Sequence, residues 1–172
     1  DVPDDVEVAD LTLDSHAVRA GAAFLACRGR TRHGLDYADA AVAAGARAVL
    51  WEPAPGVVAP QFPAPVLVVA VPDLTAQAGF IADRFFGAPS ARLAVTGITG
   101  TNGKTTSAWL LAAALSASGR SCAYLGTLGS GLPGHVVPGT HTTPDAVTLH
   151  RQLAGLRDAG ALAVAMEVSS HA

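Results

Sequence analysis

The ten residues Gly97-Ile98-Thr99-Gly100-Thr101-Asn102-Gly103-Lys104-Thr105-Thr106 constrain the fold more than any other stretch of the chain. The apolar run Leu93-Ala94-Val95-Thr96 leads in, and an Ala- and Leu-rich run from Thr105 to Ser118, ended by Gly119, leads out. The first reads as a strand and the second as a helix, so the glycines fall on a strand-to-helix turn. Glycines there let the backbone turn tightly and aim N–H groups at an anion. The helix start adds its partial positive charge. Lys104 can neutralise phosphate oxygens, and Thr105 can place a hydroxyl on a magnesium ion. The strict phosphate-loop pattern, GxxxxGK followed by Ser or Thr, is not met, because its first glycine would fall on Ile98. A glycine-rich turn beside a surface lysine would explain the glycines. It would not explain Lys-Thr-Thr at the start of the helix.

The rest of the chain reads as two α/β blocks. In the first, Ala22–Ala26 and Arg47–Trp51 read as strands, and Tyr37–Ala44 as a helix closed by Gly45. A Pro-rich loop from Pro53 to Pro65 leads to Val66-Leu67-Val68-Val69, a run typical of a strand covered on both faces. Asp73 is placed to cap a helix with Leu74, Ala78, Ile81 and Phe85 on one stripe. Gly87-Ala88-Pro89-Ser90 ends that helix and gives the domain boundary, 1–88 and 89–172. In the second block, Ser121–Leu125 reads as a strand and Gly126–Pro144 as a Gly/Pro/His-rich loop. Asp145 caps a helix reaching Ala159-Gly160, and Ala163–Met166 is a strand. Strands alternating with helices predict a mainly parallel sheet. A sheet of two or three such strands with both faces to cover is a poor stopping place, so the expectation is a truncated chain.

Half of the 172 residues are hydrophobic, 15% are charged and the net charge is -3. That composition buries a core and offers no broad basic surface for nucleic acid. The longest apolar stretch, Val66–Val71, is too short to span a bilayer, and the acidic start Asp1-Val2-Pro3-Asp4-Asp5 lacks the pattern of a signal peptide. Cys27 and Cys122 sit in separate apolar runs and read as buried free thiols. The expectation is a soluble cytoplasmic protein, with neither nucleic acid nor membrane as partner.

Gly100–Thr106 resembles the GTNGKTT signature of Mur ligases and of the related folylpolyglutamate and cyanophycin synthetases. His141-Thr142-Thr143-Pro144-Asp145 resembles the HTTP or NTTP loop of MurE-type ligases, and Met166–Ala172 their MEVSSHAL run. Upstream, Leu13-Asp14-Ser15-His16 is similar to their LDSR segment, and Gly21–Ala26 to GDLFVA. Arg28–Gly34 is similar to their KGxxxDGH loop, with His33 where Asp is common and His16 where Arg is common. The resemblance covers nearly the whole chain, in family order.

It implies a small N-terminal α/β uridine-nucleotide-binding domain, followed by the first part of a P-loop ATPase-like parallel-sheet domain. It implies that Gly100, Thr101, Asn102, Gly103, Lys104, Thr105 and Thr106 hold ATP, with Lys104 and Glu167 catalytic and Thr105 and Glu167 binding magnesium. Independently, Glu167 ends a strand, where open α/β sheets place ligands; the plain alternative is a solvated strand end. Leu13, Ser15, Arg30, Thr31, Arg32, His141, Thr142, Thr143 and Ser169 would contact substrate. For Arg30 and Arg32 the alternative is a solvated basic loop, and for Thr142 and Thr143 an ordinary turn. His171 stays open between a structural and a catalytic role. The implied reaction is ATP-dependent ligation of a free diamino acid, meso-diaminopimelate or L-lysine, to UDP-MurNAc-L-Ala-D-Glu through an acyl phosphate. The implied enzyme is a monomer, and this chain alone would be inactive. Two other readings stand: a cyanophycin-synthetase-like ligase, and a nucleotide-binding domain without ligase chemistry.

Overall fold

The computed structural model describes residues 7–139 and 142–169. The chain divides into two compact units between Ile81 and Ala82.

The first unit holds a parallel sheet whose strands lie in chain order: β1 (Asp10–Thr12), β2 (Ala22–Ala26), β3 (Ala48–Trp51) and β4 (Leu67–Ala70). β2 is buried at all five positions, and its Phe24 lies level with Thr12 and Val49 on its two neighbours. Phe24, Val49 and Trp51 form the core with Ala38 and Ala41 of the short helix α1 (Ala38–Ala43). A 3-10 turn, Gly34–Tyr37, leads into α1, and Gly45, at φ +101°, ends the segment as expected. β1 is too short to carry a periodic signal in the sequence.

Two expectations for this unit need correction. The run at Val66–Val69 predicts a strand covered on both faces, but β4 is an edge strand with half-buried and exposed side chains. Its apolar run reflects one packed face: Val66 and Val68 pack against the core around Phe24. The stripe on α2 (Leu74–Phe85) runs through Leu74, Ala78 and Ala82, an i, i+4, i+8 line, and Phe85 is 38% exposed.

In the second unit the strand order is β5 (Ala94–Ile98), β8 (Ala163–Glu167), β6 (Cys122–Gly126), β7 (Gly129–Gly131). β5, β8 and β6 are parallel. β7 runs antiparallel to β6 and lies inside the segment that reads as loop. Alternation along the strands sends side chains to opposite faces. Ala163 and Ala165 of β8, with Cys122 and Tyr124 of β6, meet Ala108 and Ala112 of α4 (Lys104–Ala117). Val164 and Met166, with Ala123 and Leu125, meet Leu153 and Leu156 of α5 (Ala146–Asp158). Small residues on the α4 side let that helix approach the sheet closely, which sets the phosphate-loop segment over the strand ends. Asp145 caps α5 as predicted, accepting the N–H groups of Val147 and Thr148. A single helical turn, α3 (Pro89–Arg92), follows Gly87, where the sequence suggests only a break between blocks.

Candidate functional site

β5 ends at Ile98, whose carbonyl accepts the N–H of Val168 just past β8, at 2.8 Å. The two parallel strands therefore deliver the glycine loop and Glu167 to the same sheet edge, at their C-terminal ends. The loop turns through Gly100 (φ +146°) and Gly103 (φ +80°), and Gly103 is the residue before α4. Those left-handed values suit glycine and little else. Lys104 folds back over the loop and donates to the Gly100 carbonyl at 2.7 Å. Thr101, Asn102 and Thr106 are exposed.

Glu167 is 1% exposed, which rules out a solvated strand end. A buried carboxylate costs several kcal/mol unless it is paired or hydrogen-bonded; here four donors converge on it. Oε1 accepts the Tyr124 hydroxyl and the Thr127 N–H (2.9 Å). Oε2 accepts the hydroxyls of Thr105 (2.8 Å) and Thr127 (3.2 Å). Burial opposes ionisation of this carboxyl, but the bonds from Tyr124, Thr127 and Thr105 outweigh it and hold its pKa below the usual carboxylate value. Conversely, burial and the bond to Glu167 push the Tyr124 phenol up to about 12. Gly126 makes room for the arrangement: a Cβ there would lie 2.6 Å from the Glu167 carboxyl carbon.

The threonines of the 142–145 loop join the same network. Thr142 and Thr127 share a hydroxyl–hydroxyl bond at 3.1 Å. Thr143 donates to the main-chain carbonyl of Glu167 (3.2 Å) and accepts the N–H of Ser169 (2.9 Å). Thr105, Glu167, Thr142, Thr143 and Ser169 are thus brought together, while His141 and His171 lie outside the described residues. Sequence reasoning misses Tyr124 and Thr127. A tyrosine in an apolar strand reads as core, and Thr127 sits in a loop without a local pattern.

In the first unit a cavity of about 350 Å³ is lined by Leu13, Ser15, His16, Phe24, Arg32 and Tyr37 among others. Arg30 and Thr31 are exposed and are not among its lining residues. Asp14 shapes the first wall by accepting the His16 N–H at 2.9 Å. His33 shapes the second: its Nδ1 accepts the Leu35 N–H (3.1 Å) and its Nε2 donates to the Glu52 carbonyl (2.9 Å). It therefore does the capping work of an aspartate. The Glu52 side chain, which no motif marks, accepts the N–H groups of Arg28 (3.0 Å) and Thr75 (3.1 Å) and the Thr75 hydroxyl. It receives an N-terminal N–H of α2, the job expected of Asp73, which instead takes a φ of +53°. Burial opposes Glu52 ionisation, but the bonds from Thr75 and Arg28 dominate and lower its pKa.

Among the described residues, no group of three His, Cys, Asp or Glu side chains gathers to hold a metal. The oxygen donors Thr105 and Glu167 instead suit magnesium, which binds through one or two protein oxygens and keeps water and phosphate as its other ligands.

A glycine turn between a parallel strand and a helix, with lysine and threonine opening that helix and a buried carboxylate on the neighbouring strand, defines a phosphate-loop α/β architecture. Two family descriptions match the chain: "Mur ligase family, catalytic domain" over residues 7–85 and "Mur ligase middle domain" over 98–172. The chain belongs to the Mur ligase family. It is 51% identical over 176 residues to the UDP-N-acetylmuramoyl-L-alanyl-D-glutamate–2,6-diaminopimelate ligase of Alkalilimnicola ehrlichii, covering 98% of this chain and 35% of that protein. It is 52% identical over 169 residues to the ligase of the same name from Xanthomonas campestris, covering 98% and 33%. The chain spans about a third of the length of these relatives. A solved 2,6-diaminopimelate ligase structure of that name superposes with a TM-score of 0.75 at 32% identity, covering 95% of this chain and 32% of the other. A MurF ligase from Thermotoga maritima, solved in complex with ADP, shares the fold at TM-score 0.59 and 22% identity, covering 98% and 34%.

Proposed function

We propose that this chain is the nucleotide-binding part of an ATP-dependent ligase that joins meso-diaminopimelate to UDP-MurNAc-L-Ala-D-Glu in peptidoglycan precursor synthesis. The observation that carries the reading is the 2.8 Å bond between Thr105, at the start of α4, and the buried carboxylate of Glu167. That pair of oxygens supports a magnesium site beside a helix start that would bind phosphate. The 51% identity to a ligase named for 2,6-diaminopimelate favours that amino acid over L-lysine. In this reading residues 1–88 bind the uridine end of the substrate, in the cavity of Leu13, Ser15 and Arg32, and the exposed Arg30 and Thr31 of the same loop add contacts from outside its lining. Residues 89–172 bind ATP. In this reading, as the resemblance implies, the enzyme works in the cytoplasm as a monomer. Among the described residues no helix is long and apolar enough to cross a membrane.

The γ-phosphoryl group passes to the D-Glu side-chain carboxylate, giving ADP and an acyl phosphate. The diaminopimelate amine then attacks the acyl carbon, expels phosphate and forms the amide. Gly100–Gly103 backbone groups orient the phosphates, and Lys104 leaves Gly100 to offset charge on the transferred group. Magnesium held by Thr105 and Glu167 would supply further charge neutralisation on the phosphate oxygens. Thr142, Thr143 and Ser169 position the acceptor, and the resemblance adds His141 to this set.

The test is phosphate release by the protein expressed from its complete reading frame, given UDP-MurNAc-L-Ala-D-Glu, ATP and magnesium. Release that requires meso-diaminopimelate supports the proposal; release only with L-lysine corrects the amino acid. Release with neither points to a related ligase, such as one of the cyanophycin-synthetase kind, or to a nucleotide-binding domain without ligase chemistry. The 172-residue chain alone is expected to give no turnover.

A further inference from the structure

We infer that Tyr124 is a positioning residue of the nucleotide site: its hydroxyl, with the Thr127 N–H, occupies Oε1 of Glu167 and leaves Oε2 as the single oxygen offered to a cation. The inference deepens the proposed ATP and magnesium site and rests on it. A carboxylate has about four lone-pair sites, two on each oxygen. Both sites on Oε1 are taken, one by a main-chain N–H fixed by the fold and one by a phenol that is itself buried. Both donors to Oε2 are threonine hydroxyls, Thr105 and Thr127. A hydroxyl rotates, and each can turn its proton elsewhere and present a lone pair. The two halves of the carboxylate are therefore unequal: one is locked to the sheet and the other can exchange a hydrogen bond for an ion.

Tyr124 is held in turn. Its ring meets the indole of Trp109 on α4 edge-on at 5.5 Å, and its hydroxyl oxygen accepts the Leu128 N–H at 3.2 Å. The phenol is thus fixed at both ends, between the helix that begins at the phosphate loop and the turn that carries Thr127. A carboxylate held this way binds an ion through one oxygen without swinging, so the ordering cost is met in folding and not on binding. The phenol touches neither nucleotide nor acceptor; it acts through Glu167.

The test uses the complete protein and two probes, ADP and magnesium chloride. ADP affinity is measured calorimetrically across a magnesium series for wild type, Tyr124→Phe, Glu167→Gln and the double variant. With Tyr124→Phe, the magnesium concentration giving half of the affinity gain rises about 5- to 10-fold, the cost of ordering one freed carboxylate side chain on binding, while magnesium-free ADP affinity stays unchanged. In the Glu167→Gln background, Tyr124→Phe changes nothing further. A purely structural tyrosine would lower the melting temperature and leave the magnesium series unmoved, and that result overturns the inference. A second readout needs no variant: adding magnesium to the wild-type ADP complex must perturb tyrosine ultraviolet absorption, and an unchanged spectrum also overturns it. If wild-type ADP affinity itself ignores magnesium, the proposed magnesium site fails and this inference with it, whereas a magnesium-dependent wild type with an indifferent variant sinks the Tyr124 role alone.

Discussion

Thr105 and Glu167 stand 62 residues apart in the chain, and their side chains meet at 2.8 Å. The meeting follows from topology. β5 and β8 are parallel neighbours, and Ile98 lies level with Glu167, so the helix opened by Lys104 starts over the end of the strand that Glu167 closes. Replacing Glu167 with Gln exchanges an acceptor oxygen for an NH2 group that must face the hydroxyls or the Thr127 N–H. Against the Thr127 N–H a donor would face a donor, so the NH2 group takes the other side, where the hydroxyls can turn to accept it, and the charge that strengthens all four bonds is lost. The expected cost is about 1–3 kcal/mol, the difference between hydrogen bonds to a charged and to a neutral acceptor. Urea denaturation checks that figure, and a parallel loss of magnesium-dependent nucleotide binding checks the site. Full stability in the variant would contradict the hydrogen-bond account.

Gly126→Ala probes the same carboxylate sterically. The added Cβ would stand 2.6 Å from the carboxyl carbon and 2.7 Å from Cγ, so Glu167 must move. A destabilisation of about 1–3 kcal/mol is expected from the forced shift. Magnesium-dependent ADP binding should fall by roughly tenfold or more, the equivalent of about 1.4 kcal/mol. Retention of wild-type binding would mean the carboxylate has freedom that its four donors deny it.

Much of this site is legible in the sequence. The phosphate loop announces itself because its chemistry is local: glycines, lysine and threonine act within one turn of chain. Glu167 is legible only as a strand-end carboxylate; its burial depends on β6 arriving beside it with Gly126 and Tyr124. β7 carries no such signal, because Gly129-Ser130-Gly131 has none of the β-branched residues that mark a strand. The wrong cap for α2 has a related cause. Asp73 satisfies the local rule, but a carboxylate 23 residues upstream of Thr75 takes its N–H, and tertiary pairing leaves no mark in spacing.

That cap gives a prediction of its own. Glu52→Ala removes the acceptor for the Arg28 and Thr75 N–H groups at once. A loss of about 0.5–2 kcal/mol is expected, in the range of a deleted helix cap. It should come with faster amide exchange at Arg28 and Thr75. His33→Ala should show a similar but smaller loss, and His33→Asp should recover the bond to the Leu35 N–H without the one to the Glu52 carbonyl.

Glu52 and Glu167 also set the response to acid. Both carboxyls have folded pKa values below their unfolded ones, so the unfolded chain binds more protons at low pH. Their stabilisation is complete above the unfolded carboxylate value, about 4.3, and is lost as pH falls through the folded values. The urea midpoint should be flat near neutrality and drop below about pH 4.5. Glu167→Gln should flatten the drop in the second unit, and Glu52→Gln in the first. A midpoint that rises on acidification would reverse the sign and refute the assignment.

The two thiols respond to base instead. Burial raises both, and Cys27, whose bond with Thr75 works the other way and whose neighbour Glu52 adds to the rise, reaches about 11. At pH 8 the thiolate fraction of Cys27 is then about one in a thousand, and the thiolate is the reactive species. Cys27 nonetheless lines the open cavity with Leu13 and Ser15, so access alone does not protect it. Alkylation by iodoacetamide at pH 8 should therefore be slower by about a hundredfold than for an ordinary exposed cysteine. The rate should climb roughly tenfold per pH unit up to the denaturing range. Glu52→Gln, by removing the negative charge, should speed it, whereas a rate independent of pH would show that access and not ionisation controls this thiol.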